Sequence, residues 1–145
     1  MSLRQWIRPL VVEAHCDLPC GVYDPDQARI EAESCLKIIE KYQTNSDEQF
    51  RARAILIKEQ RAELAKHHID VLWSDYYKPA KHDAQFPKVK DLFNEAAKQC
   101  SKVKASLNKE DAQKLLELID QIDDFWKKSN GPQETRVKQP VAAKA

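Results

Sequence analysis

His15, Cys16 and Cys20 fall within six consecutive residues, "HCDLPC", near the start of the chain. Imidazole and thiolate donors suit zinc, copper, nickel or iron–sulfur chemistry. A single pair of cysteines three residues apart lacks the second pair that a structural zinc site or a four-cysteine cluster requires. His67, His68 or His82 would complete a zinc site only if the fold returned one of them to this segment. A Cys16–Cys20 disulfide is the alternative. It is sterically possible, but disfavoured in an intracellular chain.

The fourteen residues ahead of His15, "MSLRQWIRPLVVEA", carry basic residues but only a three-residue apolar run, "LVV". An export signal needs an apolar stretch of about 7–15 residues, so this is not one. It ends in Val12-Glu13-Ala14, small or β-branched residues where a signal-peptidase-like enzyme would cut. A removable leader over 1–14 and a loosely docked N-terminal arm are the two readings.

Cutting after Ala14 changes the chemistry of His15. It then carries a free α-amine as well as its imidazole. The amine, the Cys16 amide nitrogen and the thiolates of Cys16 and Cys20 form a set of two nitrogens and two sulfurs. Such a set favours a square-planar ion, and Ni(II) fits best. The imidazole is left as a potential axial ligand. Anionic thiolates and a deprotonated amide raise electron density at the metal, bringing Ni(III) within reach and suiting the site to one-electron exchange.

These donors need a scaffold, and the rest of the chain is helical in character. Its 145 residues include only two glycines, and the 32% that are charged nearly cancel to a formal net charge of +1. That balance argues against bulk nucleic-acid or membrane binding, and no apolar run approaches the ~20 residues of a membrane helix.

Punctuation marks four helices. The first opens at Asp24-Pro25, with Asp24 as N-cap and Gln27 as capping-box partner. It continues to about Gln43 through Ala28, Ala32, Cys35, Leu36 and Ile39. The second opens at Ser46, with Gln49 three residues on, and runs to about Tyr77, where Pro79 stops it. The third lies between Pro87 and Ser106 on a stripe of Val89, Leu92, Phe93, Ala96, Cys100 and Val103. The fourth opens at Asn108, carries Leu115, Leu116, Ile119, Ile122 and Trp126, and ends at Gly131-Pro132. The residues after it, 132–145, have no periodicity and read as a flexible tail. The expected fold is all-α, an antiparallel four-helix bundle over 24–131 with an N-terminal metal-binding hook over 15–23. Cys35 and Cys100 fall on apolar faces and read as reduced core residues.

Two charges interrupt the stripes. Arg61 falls in the series Phe50, Ala54, Ile57, Arg61, Leu64, His68 and Val71, and Glu31 in the series Ala28, Glu31, Cys35, Ile38 and Tyr42. A buried charge is costly unless paired. Either Glu31 and Arg61 meet or serve one polar site, or both sit at a stripe edge and reach solvent.

"HCDLPCGVYDP" (15–25) resembles the nickel hook of the nickel-containing superoxide dismutases. The similarity continues through "QARIEAES" and "KEQRAELAKHHIDVLWSDYYKP" and extends over roughly residues 15–130. The resemblance implies disproportionation of superoxide to dioxygen and hydrogen peroxide by Ni(II)/Ni(III) cycling, with one nickel ion per subunit. It implies His15, Cys16 and Cys20 as metal ligands, and Asp17, Pro19 and Tyr23 as residues that shape the hook. The Leu18–Pro19 bond would be cis, and the Tyr23 hydroxyl would guard the open face of the metal. Glu31 and Arg61 match the pair that holds the axial imidazole, and Tyr76 a second tyrosine near the hook. It further implies a homohexamer of four-helix bundles and a leader-processing protease. A cytoplasmic location is expected. The rival reading is a non-catalytic helical module that stores or delivers nickel or copper.

Overall fold

The computed structural model describes residues 21–129. The expected leader, the expected ligands His15, Cys16 and Cys20, the expected hook residues Asp17 and Pro19 with the Leu18–Pro19 bond, the expected Gly131-Pro132 stop and the expected C-terminal tail lie outside them. Four long helices dominate: α1 (Asp26–Thr44), α2 (Glu48–Val71), α4 (Val89–Ala105) and α5 (Lys109–Lys128), with a single turn, α3 (Pro79–His82), between α2 and α4. The sequence had shown no sign of α3, which Pro79 opens at its first position.

The helix starts follow side-chain chemistry, shifted by a residue from expectation. Asp24 accepts the Asp26 N–H at 2.9 Å, one position ahead of the cap itself. Asp47, rather than Ser46, caps α2 by accepting the Phe50 N–H at 2.6 Å. Asn108 caps α5 as expected.

Polar links run in opposite order along neighbouring helices, so those neighbours are antiparallel. Between α1 and α5, Arg29 pairs with Asp120, Glu40 with Lys109, and Gln43 reaches the Leu107 carbonyl. Between α1 and α2, Glu31 meets Arg61 and Tyr42 accepts from Arg51. Each long helix touches two others, α1 against α2 and α5, and α4 against α2 and α5. This is the antiparallel four-helix bundle.

Its core holds Ala28, Ala32, Cys35 and Ile39 from α1, and Val89, Phe93, Ala96, Cys100 and Val103 from α4. Leu115, Ile119, Ile122 and Trp126 come from α5. The stripes expected for these three helices face this core, with Leu36, Leu92 and Leu116 only partly buried against it. Cys35 and Cys100 are free, buried thiols, as expected.

For α2 the expected stripe holds only at Ala54. The buried residues are Ala54, Lys58, Ala62, Ala65 and Ile69, while Phe50 and Leu64 remain 36% and 39% exposed. Small alanines let α2 approach its neighbours closely, and the larger apolar residues fall on the flank.

The charge in the core is therefore Lys58, 1% exposed, not Arg61. Its ammonium group donates to the carbonyls of Val103 at 2.9 Å, and of Lys104 and Ser106 at 2.6 Å each. Three protons meet three carbonyls at the C-terminal end of α4, where helices leave acceptors unpaired and the macrodipole favours a cation. Burial pulls the Lys58 pKa down, and these contacts offset that cost. Lys58→Met keeps the volume of the stem but strands the carbonyls. We expect it to lower stability by about 2–3 kcal/mol, read as a lower urea midpoint at unchanged slope. An unchanged midpoint would show that the cap contributes nothing.

Candidate metal centre and its supporting residues

Among the described residues, no group of three or more His, Cys, Asp and Glu side chains is placed to hold a metal. The remaining histidines bear this out in different ways. His67 and His68 meet ring to ring at 5.5 Å on α2. His82 is buried in an aromatic cluster at 2% exposure. The buried cysteines are poor donors too. Desolvation by burial pushes the Cys35 thiol up to about 11 and Cys100 to about 12, and only the thiolate binds metal. The donors expected from the sequence, His15, Cys16 and Cys20, lie outside the described residues.

Directly after Cys20 the chain turns at Gly21, whose φ of +74° lies in the left-handed region. A side chain there costs roughly 1–2 kcal/mol of backbone strain. Two residues on, the Tyr23 ring packs on Tyr76 with centroids 6.0 Å apart and a tilt of 54°.

Tyr76 reaches that position through an irregular end to α2. Residues Leu72–Tyr76 form a π-helical turn, closed by the Tyr77 N–H donating to the Leu72 carbonyl at 2.9 Å. The wider turn re-aims the side chains beyond it relative to the regular α2 face. Tyr76 is then held on three sides. His82 stacks on it at 5.6 Å with planes 26° apart, Phe125 meets it edge-on at 6.0 Å, and its hydroxyl lies 2.6 Å from Ser129 Oγ. Burial raises the Tyr76 pKa, with the Ser129 hydrogen bond opposing, so it remains a neutral phenol.

His82 is fixed in turn. Its Nδ1 accepts the Lys78 N–H at 3.0 Å, which leaves the neutral ring's proton on Nε2. Among the described residues that atom has no hydrogen-bond partner, and its ring packs with those of Tyr76, Tyr77 and Phe125. Burial lowers its pKa and keeps it uncharged.

The second pair is Glu31 with Arg61. Arg61 Nη1 lies 3.1 Å from Glu31 Oε2 and 3.3 Å from Oε1. The Glu31 side chain is largely shielded, 14% exposed, whereas Arg61 is 44% exposed. Both sequence alternatives therefore hold in part: the two charges meet, and they do so at the edge of the bundle. Glu31 stands five residues into α1, roughly 8 Å along the axis from the Tyr23 end. The four expected residues thus fall into two pairs, Tyr23 with Tyr76 and Glu31 with Arg61. Ser129 and His82 are the neighbours that sequence reasoning missed. Ser129 sits at a helix end with nothing in its spacing to mark it.

The sequence profile of the nickel-containing superoxide dismutases matches residues 10–130. The chain belongs to that family. It is 60% identical over 127 residues to the nickel superoxide dismutase of Streptomyces seoulensis, and 53% identical over the same length to that of Streptomyces coelicolor. Each alignment covers 87% of this chain and 96% of the relative. Two solved structures superpose equally well. A nickel-containing superoxide dismutase in a partly X-ray-reduced state matches with a TM-score of 0.77 at 57% identity, and a native one with 0.77 at 52%. Each comparison spans 80% of this chain and 98% of the other. The nickel superoxide dismutase reading therefore stands over the storage module. No helix among the described residues is long and apolar enough to cross a membrane.

Proposed function

We propose that His15, Cys16 and Cys20 hold the nickel of this superoxide dismutase, and that Glu31 and Arg61 orient the His15 imidazole. The enzyme converts two superoxide anions and two protons to dioxygen and hydrogen peroxide. Nickel, when bound by these donors, supplies the one-electron exchange that both half-reactions require. The protein's own residues supply position and protons. Arg61 holds the shielded Glu31 carboxylate, and that carboxylate is the natural acceptor for an imidazole N–H. Tyr23, the last residue of the hook, packs against Tyr76, where a phenol can restrict access to the open face and offer a proton. Asp17 and Pro19 shape the hook between the two cysteines.

Processing and assembly belong to the same proposal. A protease removes residues 1–14, and the mature chain begins at His15. The protein assembles as a homohexamer in the cytoplasm. Val22, Ile30 and Leu56, 53%, 61% and 58% exposed, are apolar surface available for burial between subunits.

The observation that carries the positioning role is the Glu31–Arg61 ion pair, because periodicity alone had left it open. Arg61→Ala leaves a shielded carboxylate without its cation. Loss of an outer partner of a metal ligand typically costs about 10–100-fold in metal affinity or activity. We expect nickel content near that of the parent, turnover lower by about that factor, and an altered Ni(III) electron paramagnetic resonance spectrum. Unchanged turnover and spectrum would reduce the pair to a solvated helix-edge contact.

A further inference from the structure

The hydrogen bonds at the C-terminal end of α5 have a direction that the distances favour. The Trp126 carbonyl can only accept. Ser129 Oγ lies 3.1 Å from it, whereas the Tyr76 hydroxyl lies 3.5 Å from it, at the limit of a hydrogen bond. Ser129 is therefore the better placed to donate to Trp126. Either oxygen could donate across the 2.6 Å contact between the two hydroxyls, and the shorter Ser129–Trp126 contact favours Tyr76 as its donor. The favoured order is Tyr76 O–H to Ser129 Oγ–H to Trp126 C=O.

The acceptor is itself held firmly. Ser129 is 5% exposed, and its backbone N–H donates to the Phe125 carbonyl at 2.9 Å. A buried hydroxyl that both donates and accepts is satisfied, and its geometry leaves Tyr76 one orientation. In that order, with its proton committed to Ser129, the Tyr76 oxygen presents only acceptor lone pairs to any other group. His82 and Phe125 fix the ring, and Ser129 fixes the hydroxyl.

We propose that Ser129 is a positioning residue for the dismutase reaction: by accepting the Tyr76 proton it sets that phenol's orientation, and through the ring contact the placement of Tyr23 beside the hook. The inference rests on the reading of Tyr23 as guarding the open face of the metal and of Tyr76 as a second tyrosine near the hook. Ser129 itself touches neither substrate nor metal. Its influence passes through the ring contact with Tyr23 and through the acceptor that Tyr76 presents.

The test uses the processed, nickel-loaded protein carrying tyrosine labelled at the ζ carbon. Turnover, nickel content and the tyrosine ζ-carbon resonances are measured for Ser129→Ala, Ser129→Thr, Tyr76→Phe and the Ser129→Ala/Tyr76→Phe double variant. Ser129→Ala should keep its nickel, shift the Tyr76 and Tyr23 resonances and lose turnover by about 10-fold, as outer partners of a metal site do. Ser129→Thr, which keeps the hydroxyl, should recover most of the loss. The double variant should be no worse than Tyr76→Phe alone, since both changes remove one interaction. If Tyr76→Phe impairs turnover and Ser129→Ala leaves turnover and resonances untouched, the Ser129 proposal fails while the site reading survives. If Tyr76→Phe itself changes nothing, the site reading fails and the proposal with it.

Discussion

Cys16→Ser and Cys20→Ser each yield a protein that folds as a helical bundle and holds no redox-active nickel. The two thiolates are the anionic, electron-rich half of the proposed donor set. A serine hydroxyl is a hard, protonated oxygen at neutral pH and replaces neither property. The expected loss of dismutase turnover is complete, and the Ni(III) paramagnetic signal should vanish with it. The fold should survive, because the core among the described residues is built between Ala28 and Trp126, downstream of both cysteines. Circular dichroism and a urea transition check the fold, and metal analysis checks the site. Cys35→Ser is the control. Its thiol is fully buried, raised well above neutral pH by desolvation, and donates to the Lys58 carbonyl at 3.5 Å. That variant should keep its nickel and turnover and lose about 1 kcal/mol of stability, the scale of one hydrogen bond in an altered core environment. Loss of metal from Cys35→Ser would overturn the division of the cysteines into ligands and core residues.

The second large effect belongs to the leader. With residues 1–14 attached, the nitrogen of His15 is a peptide amide, and the proposed set has lost its amine. A free α-amine titrates near 8 and supplies a lone pair at neutral pH. A peptide nitrogen must first lose a proton it holds far more tightly. The intact chain, verified by mass, should therefore take up nickel poorly and show no dismutase turnover, while cleavage after Ala14 followed by nickel addition should produce both. Extending the processed chain by a single alanine ahead of His15 should abolish turnover as fully as the whole leader does, since one peptide bond removes the amine. Full turnover by the uncleaved chain would remove the amine from the ligand set.

The helices were legible in the amino-acid sequence because their signals are local. Caps, prolines and three-to-four spacing act within a few residues, so α1, α4 and α5 turn the expected stripes to the core. The proposed hook is a local signal of the same kind, its candidate donors His15, Cys16 and Cys20 lying within six residues. On α2 local signals misled. Apolar residues are spread around that helix, and hydrophobicity drew the stripe through Ile57, Arg61 and Leu64. Close packing instead selected the face with the smallest side chains.

Lys58 explains why no reading of α2 by itself would have succeeded. Its burial is tolerable only because carbonyls 45–48 residues away, at the end of α4, accept its three protons. The π-helical turn that re-aims Tyr76 and the Ser129 hydroxyl that meets its own are of the same kind, with partners 53 residues apart. A polar group's sequence neighbours determine whether it can begin or end a helix. Whether it can be buried depends on which distant donors and acceptors the packed helices bring within 3 Å or so, and only the tertiary structure decides that.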